Sequence, residues 1–300
     1  MVLLETAVPD FRAYVTEPQL DAVIRQARDE DLGDPARDIT TRAFIADDRC
    51  GRGSLVCREA GRLAGIVLLP HIARAYDRRI DVQAEATDGQ PIAVGQIIAR
   101  YVGPLDSILT MERVALNFVA HLCGVATLTA QFVERTRQTL ARICDTRKTL
   151  PGLRGLEKYA VACGGGLTHR MGLHDAMLVK DNHLAHVQPH LIAEVLRVAI
   201  NRARRDADLK FVGVEVDTLE QLDTVLQSRV DLVLLDNMSI ENLTKAVAVR
   251  DQQGRGVELE ASGGVDLDNV GAIARTGVDR ISVGALTHSA PSLDFGLDFV

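Results

Sequence analysis

The second half of the chain repeats one pattern: a short β-branched apolar run, then a stretch of helical period. Residues 211–216 form such a run and 219–226 the stretch after it. Residues 231–235 are followed by 240–249, and 257–260 by 267–275, before 280–283 closes the series. Upstream, residues 141–144 and 176–179 read as two more strands. Short apolar strands separated by amphipathic helices pair in parallel, with the helices covering the sheet. Recurrence at intervals of about 20–26 residues is tight enough for an α/β barrel rather than a large open sheet.

The residues that follow each strand narrow the function. They are Asp145, Arg147 and Lys148; Lys180 and Asp181; Glu215 and Asp217; Asp236 and Asn237; Glu260 and Ser262; and Gly284. The βα loops at the C-terminal face of a barrel converge on one place, so polar groups collected there read as a site. Asp236 or Ser262 alone reads as a helix N-cap. In register, the set points to a ligand. Between Cys144 and His183 the chain also concentrates Arg147, Lys148, Arg154, Lys158, Gly164 to Gly166, His169, Arg170 and Lys180, although the whole protein carries a formal charge of -7. Fixed cations beside glycine-rich turns suit a small ligand bearing several negative charges.

Ser262, Gly263 and Gly264 follow a strand and precede a helix. Backbone N–H groups at such a helix start bind phosphate, and glycines let the anion approach. Val283, Gly284 and Ala285, after the next strand, fit as a second wall. Glu215 and Asp236 end consecutive strands; paired carboxylates beside a phosphate site suit Mg²⁺ or a ribose diol, with salt bridges in the barrel rim as the structural alternative. Neither G-x-x-x-x-G-K-[ST] nor G-x-G-x-x-G occurs here, which disfavours a nucleoside triphosphatase or a nicotinamide-dependent dehydrogenase. His183, His186 and His190 have helix-like spacing, but Pro189 interrupts them and no carboxylate completes a metal set. Cys144 and Cys163 read as packing residues.

The first part of the chain differs in texture. Residues 18–31 predict an amphipathic helix, and 53–100 predict antiparallel strands with glycine-rich turns. Residues 105–140 predict a helix broken near Gly124. A 47% apolar and 25% charged composition is that of an ordinary soluble protein. The acidic balance argues against nucleic-acid binding. Five cysteines without a C-x-x-C pair point to a reducing compartment. Residues 1–5 lack the features of a signal peptide, and no apolar run approaches the roughly 18–20 residues of a membrane span. A cytoplasmic location is expected.

These residues together resemble the quinolinate phosphoribosyltransferases. The resemblance rests on Asp145-Thr-Arg-Lys-Thr149, Pro151-Gly-Leu-Arg154, Glu157-Lys-Tyr-Ala160, Cys163-Gly-Gly-Gly166, His169-Arg170 and Lys180-Asp-Asn-His183. It continues through Glu215-Val-Asp217, Leu235-Asp-Asn-Met238, Glu260-Ala-Ser-Gly-Gly264 and Ile281-Ser-Val-Gly-Ala-Leu-Thr-His-Ser289, with Glu30-Asp-Leu-Gly33 and Asp38-Ile-Thr-Thr41 near the start. It implies an N-terminal α/β (α+β) sandwich domain over residues 1–121, joined by the tail 290–300. It also implies an incomplete, about seven-stranded TIM-like α/β barrel over 122–289. The implied reaction joins quinolinate to phosphoribosyl pyrophosphate with Mg²⁺, giving nicotinate mononucleotide, pyrophosphate and CO2 for NAD biosynthesis. The implied assembly is a homodimer with shared active sites.

By the same resemblance, Arg147, Arg170 and Lys180 bind the quinolinate carboxylates, with His169 and Thr146 beside them and Arg113 from the partner subunit. Lys148 contacts the pyrophosphate side, and Glu215 and Asp236 hold ribose and Mg²⁺. Ser262, Gly263, Gly264, Val283, Gly284 and Ala285 cradle the 5′-phosphate. Thr168 and Leu150 depart from the family pattern, where Asn and Thr are common, which bears on fine specificity. Relatives found with molybdate-transport systems share much of the pattern. A non-catalytic phosphate-ligand sensor and an aldolase-type barrel using Lys180 as a Schiff base are the readings from other classes.

Overall fold

The computed structural model describes residues 8–46, 49–253 and 256–299; the expectation about residues 1–5 lies outside them, as does Val300. In chain order the elements begin with α1 (Glu17–Leu32), α2 (Ile39–Phe44), β1 (Cys50–Cys57), β2 (Gly61–Arg62), α3 (Leu69–Tyr76), β3 (Asp81–Ala84), β4 (Pro91–Ile92), β5 (Ile97–Pro104) and α4 (Leu105–Thr136). They continue with β6 (Arg142–Cys144), α5 (Arg154–Cys163), β7 (Met177–Val179), α6 (Asp181–Leu184), α7 (Ile192–Asp206), β8 (Val212–Val216) and α8 (Leu219–Leu226). The last are β9 (Leu232–Asp236), α9 (Ile240–Gln253), β10 (Glu258–Ser262), α10 (Val270–Ala274), β11 (Arg280–Ser282), α11 (Ala285–His288) and β12 (Phe295–Phe299).

The chain divides into two compact units. The first comprises Met1–Ala130, Thr149–Gly165 and Leu286–Val300, and the second Gln131–Lys148 and Gly166–Ala285. The boundary expected at residues 121 and 122 therefore falls inside α4, and α5 groups with the first unit rather than with the barrel.

In the first unit the sheet order is β12-β1-β5-β3, all antiparallel. The helix expected at residues 18–31 is α1. It starts at a capping box, with the Thr16 N–H donating to Gln19 Oε1 at 3.1 Å, and it buries Leu20 and Ile24. The irregular region expected to be strands also contains α3. Its apolar spacing is helical, and Leu69, Ile72 and Ala73 are buried. The helix expected to break at Gly124 does not break: α4 runs 32 residues without interruption. Gly124 serves closeness instead. A Cβ there would lie 2.0 Å from the Pro291 carbonyl oxygen, so the missing side chain is what lets the C-terminal segment lie against the helix. By length and mean hydropathy, 1.4 over its most apolar stretch, α4 matches a membrane span, yet half of that stretch is buried inside the protein. Ile108, Met111, Val119 and Leu122 make it a core helix.

The second unit is a parallel sheet of six strands, ordered β6-β11-β10-β9-β8-β7. A single parallel bridge between Cys144 and Leu167 adds a position beyond β6. The expected seven strands thus become six plus one bridge, in an incomplete TIM-like barrel. The helix after β8 matches its expected span, because Thr218 caps it: the Gln221 N–H donates to Thr218 Oγ1 at 3.2 Å, and the Thr218 N–H to Gln221 Oε1 at 3.3 Å. Parallel pairing aligns the C-terminal ends of the strands: Ser262 pairs with Asp236, Val216 with Leu235 and Ser282 with Cys144.

Gly124→Val is expected to lower stability by about 1–3 kcal/mol or more, since backbone on both sides must move. A urea unfolding midpoint equal to that of the wild type would show that the tail does not depend on this close approach.

Candidate active site

Parallel neighbours in register point their side chains to the same face. On β6, β10 and β11 this places Arg142, Cys144, Glu258, Glu260, Ser262, Arg280 and Ser282 together. At the N-terminal end of that face Glu258 forms ion pairs with both Arg142 and Arg280. Polar groups at the C-terminal ends of the strands supply the candidate site.

The loop after β6 begins with Asp145, which has no exposed surface. Its Oδ1 accepts the backbone N–H of His169 at 2.7 Å, tying the β6 loop to the segment that carries His169 and Arg170. The His169 ring packs edge-on against Phe211, with centroids 4.9 Å apart. Its Nε2 lies 3.4 Å from Glu260 Oε1. Arg170 is buried and donates from Nη1 to the Ala176 carbonyl at 3.1 Å. Burial, then the Arg147 charge, lowers the Arg170 pKa, and the Asp175 carboxylate opposes them. Guanidinium groups suit planar anions such as carboxylates. Thr146 is half-buried, while Arg147 and Lys148 are exposed. The Thr146 hydroxyl accepts the Lys148 N–H at 3.0 Å.

The turn after Arg170 is built around Asp175. Its carboxylate accepts N–H groups from Met171 at 2.8 Å and Gly172 at 3.0 Å and pairs with Lys210 at 3.1 Å. Burial opposes ionisation there, but the two backbone donors and Lys210 outweigh it and hold the carboxyl down at about 2. Lys180, exposed at the end of β7, forms an ion pair with Glu215 at the end of β8. Asp236, at the end of β9, accepts the side-chain N–H of Asn237 at 2.9 Å.

Beyond β10 the backbone itself is shaped for a ligand. Gly263 has φ +92° and Gly264 φ +60°. A Cβ on Gly263 would stand 2.1 Å from Asn237 Oδ1, whereas one on Gly264 would meet nothing within 4 Å. Asn237, itself at φ 51°, donates its N–H to the Ser262 carbonyl at 2.8 Å. The side chain of Asn269 closes the loop by donating to the Gly264 carbonyl at 2.8 Å. Val283 is buried, with its N–H on the Cys144 carbonyl at 2.9 Å, and Gly284 and Ala285 follow at the surface edge.

Thr146, Arg147, Lys148, His169, Arg170, Lys180, Glu215, Asp236 and the two glycine loops all belong to the second unit. Arg113 belongs to the first, exposed on α4. Among the described residues no group of three or more His, Cys, Asp or Glu forms a metal cluster. The His183 ring instead accepts the Lys180 N–H at 2.9 Å and caps α6. Cys144 and Cys163 are buried, and burial pushes both thiols up, Cys163 to about 12.

Several motif residues outside the barrel are braces. Glu157, fully buried, meets His121 Nε2 at 2.9 Å through one oxygen and accepts the Leu150 N–H at 3.1 Å through the other. Arg154 donates to Thr149 Oγ1 at 3.1 Å. Gly164 packs where a Cβ would lie 2.5 Å from the Ala126 carbonyl oxygen, and Gly165 turns at φ +86°. Sequence reasoning did not single out Asp145, Asp175 or Asn237 as supports; nor did it assign Glu260 a role. The available signal for Glu260 was its place at the centre of a short strand, between the apolar Leu259 and Ala261.

Comparison with known proteins gives a consistent result. A family model described as quinolinate phosphoribosyl transferase, C-terminal domain, matches residues 125–298, and the corresponding N-terminal domain model matches residues 38–123. The nicotinate-nucleotide pyrophosphorylase [carboxylating] of Mycobacterium leprae is 44% identical, over 92% of this chain and 95% of its own length. A quinolinate phosphoribosyltransferase [decarboxylating] of Nicotiana tabacum is 37% identical, over 93% of this chain and 81% of its own. The solved nicotinate-nucleotide pyrophosphorylase from Francisella tularensis superposes with a TM-score of 0.84 at 36% identity, covering 95% of this chain and 98% of that one.

The Asp175 carboxyl, depressed below its unfolded value of about 3.9, contributes stability that is complete above about pH 4 and lost as pH falls toward 2. Asp175→Asn is therefore expected to be less stable at neutral pH and to lose less between pH 4 and 2. Thermal melts across that window check it; parallel wild-type and variant curves would refute it.

Proposed function

The chain belongs to the quinolinate phosphoribosyl transferase family, and from that premise we propose that it converts quinolinate and phosphoribosyl pyrophosphate to nicotinate mononucleotide, pyrophosphate and CO2. The observation that carries this reading is the presence of two receptors at the C-terminal ends of one parallel sheet: the cations Arg147, Arg170 and Lys180 after β6 and around β7, and the glycine loop at Gly263 and Gly264 after β10. The first suits a planar dicarboxylate. The second suits a phosphate monoester approached by backbone N–H groups.

Arg147, Arg170 and Lys180 hold the pyridine dicarboxylate, with His169 and Thr146 beside it. Ser262, Gly263, Gly264, Val283, Gly284 and Ala285 hold the 5′-phosphate and so fix where the ribose lies. Lys148 meets the pyrophosphate, whose negative charge grows as the bond to the ribose carbon breaks. Glu215 and Asp236 face the ribose hydroxyls. Two carboxylates are too few to enclose a metal, but they fit Mg²⁺, which keeps waters and takes its remaining ligands from substrate phosphates. When bound, Mg²⁺ would neutralise charge on the leaving pyrophosphate.

In the reaction the pyridine nitrogen forms a bond to the ribose carbon and the bond to pyrophosphate breaks. The carboxylate beside that nitrogen then leaves as CO2, and its electron pair stays on the ring carbon, stabilised by the adjacent positive nitrogen. A proton from solvent completes the product. No side chain is assigned as a general base.

Arg113, exposed on α4, is proposed to enter the site of a second copy, making the enzyme a homodimer with shared sites. The five cysteines are free, four of them buried with none in a disulfide, as a reducing cytoplasm would keep them.

Purified protein should release CO2 and form nicotinate mononucleotide only when quinolinate, phosphoribosyl pyrophosphate and Mg²⁺ are all present. Equal turnover of nicotinic acid would overturn the substrate assignment. Arg113→Ala and Lys180→Ala should each be inactive alone, and mixing them should restore about a quarter of the wild-type sites if subunits exchange at random. Verified exchange without recovered activity would count against sharing.

A further inference from the structure

Asn237 is the one non-glycine residue among those described whose backbone lies in the left-handed region, at φ 51°. Asparagine adopts that conformation more readily than most residues, but glycine adopts it without steric penalty. The residue is exposed and lies outside the core. The proposed chemistry gives it no contact with either substrate. Its hydrogen bonds run to both halves of the site assigned to the phosphoribosyl group.

The backbone N–H of Asn237 donates to the Ser262 carbonyl at 2.8 Å, beside the register pair formed by Asp236 and Ser262. That bond joins the end of β9 to the start of the glycine loop. The carboxamide Nδ2 donates back to Asp236 Oδ2 at 2.9 Å. Among the described residues no other donor reaches the Asp236 carboxylate. The carboxamide needs room, and Gly263 supplies it: a Cβ on Gly263 would stand 2.1 Å from Asn237 Oδ1 and 2.6 Å from its Cγ. Gly264, at φ +60°, has nothing within 4 Å of the place a Cβ would take. Both glycines satisfy a left-handed backbone, and only the first also makes space for a neighbouring side chain.

We propose that Asn237 is a positioning residue acting through Asp236: its carboxamide engages Oδ2, fixes the rotation of the carboxylate, and leaves Oδ1 to the ribose hydroxyls. Its backbone N–H at the same time sets the distance from that carboxylate to the loop that holds the 5′-phosphate. One residue thus spans the ribose and phosphate halves of a single ligand. This inference rests on the function proposed above for that ligand, but the seating of Asn237 against Gly263 and Asp236 can be tested without it.

The kinetic test uses the full-length protein with two substitutions. Asn237→Gly keeps the backbone conformation and its N–H and removes the carboxamide. Asn237→Asp keeps the shape and replaces the donor with a like charge. If Asn237 served the turn alone, glycine would do as well or better. Positioning gives the opposite order. The KM for phosphoribosyl pyrophosphate should rise about tenfold in Asn237→Gly, the effect of losing one hydrogen bond to a charged group, and further in Asn237→Asp. The KM for quinolinate should stay unchanged in Asn237→Gly. An unchanged KM for phosphoribosyl pyrophosphate, or an equal rise in that for quinolinate, would overturn the proposal.

A double-mutant cycle on melting temperature gives a readout without ligand. Gly263→Ala lowers the midpoint through backbone strain and through the clash with the carboxamide. In an Asn237→Gly background the clash is gone, so the drop should be smaller by about 2 °C or more. Gly264→Ala, whose added Cβ meets nothing, should cost the same in both backgrounds. Additive midpoints for Gly263→Ala would sink the proposal whatever the kinetics. If the wild type shows no quinolinate turnover while the cycle behaves as stated, the function is wrong and the seating of Asn237 stands.

Discussion

Parallel register is the constraint on which the second unit depends. Each strand runs the same way, so its last residue arrives at one common edge, and the pairs Ser262 with Asp236 and Val216 with Leu235 keep those ends level. A slip of one residue would send every side chain on that strand to the opposite face. Glu215 would then leave Lys180, and Glu260 would leave His169. The active groups are therefore held by hydrogen bonds far from any of them in chemistry, and loop sequence has only to finish what the strands begin.

The interior of this barrel is polar at both ends. Toward the N-terminal ends, Glu258 neutralises Arg142 and Arg280. Toward the C-terminal ends, Lys180 is met by Glu215, and the buried Arg170 donates to a backbone carbonyl. The proposed polyanionic ligand would account for so cationic a stretch in an acidic protein.

The strand and helix alternation of residues 211–283 was legible because period and turn chemistry agree there; α8 is bounded by Thr218 and Gln221, whose side chains announce the cap. The candidate site residues were legible as types at strand ends, since a guanidinium or a Gly-Gly pair after an apolar run has few uses, and the structure places them at the ends of parallel strands. Three things were not. Gly124 reads locally as a helix breaker, and its contact with Pro291 comes from a segment remote in sequence. The helix α3 lies in a region whose glycines suggest turns, and only its buried face separates it from strands. Asp145 and Asp175 act through backbone N–H groups, and such second partners have no spacing rule. The residues proposed to touch a ligand left a pattern in the chain; the residues that hold them did not.

The pairing of Ser54 with Asp298 has a consequence for how the protein is made. One edge of β1 finds β5 soon after both leave the ribosome, but the other edge waits until the strands of the second unit have been synthesised, because β12 follows them in the chain. During that interval an unpaired strand edge is exposed beside a partly built sheet, the kind of surface on which nascent chains associate wrongly. The close seat of Pro291 on Gly124 lies in the same late segment, so the first unit begins before the second in the chain and is finished after it.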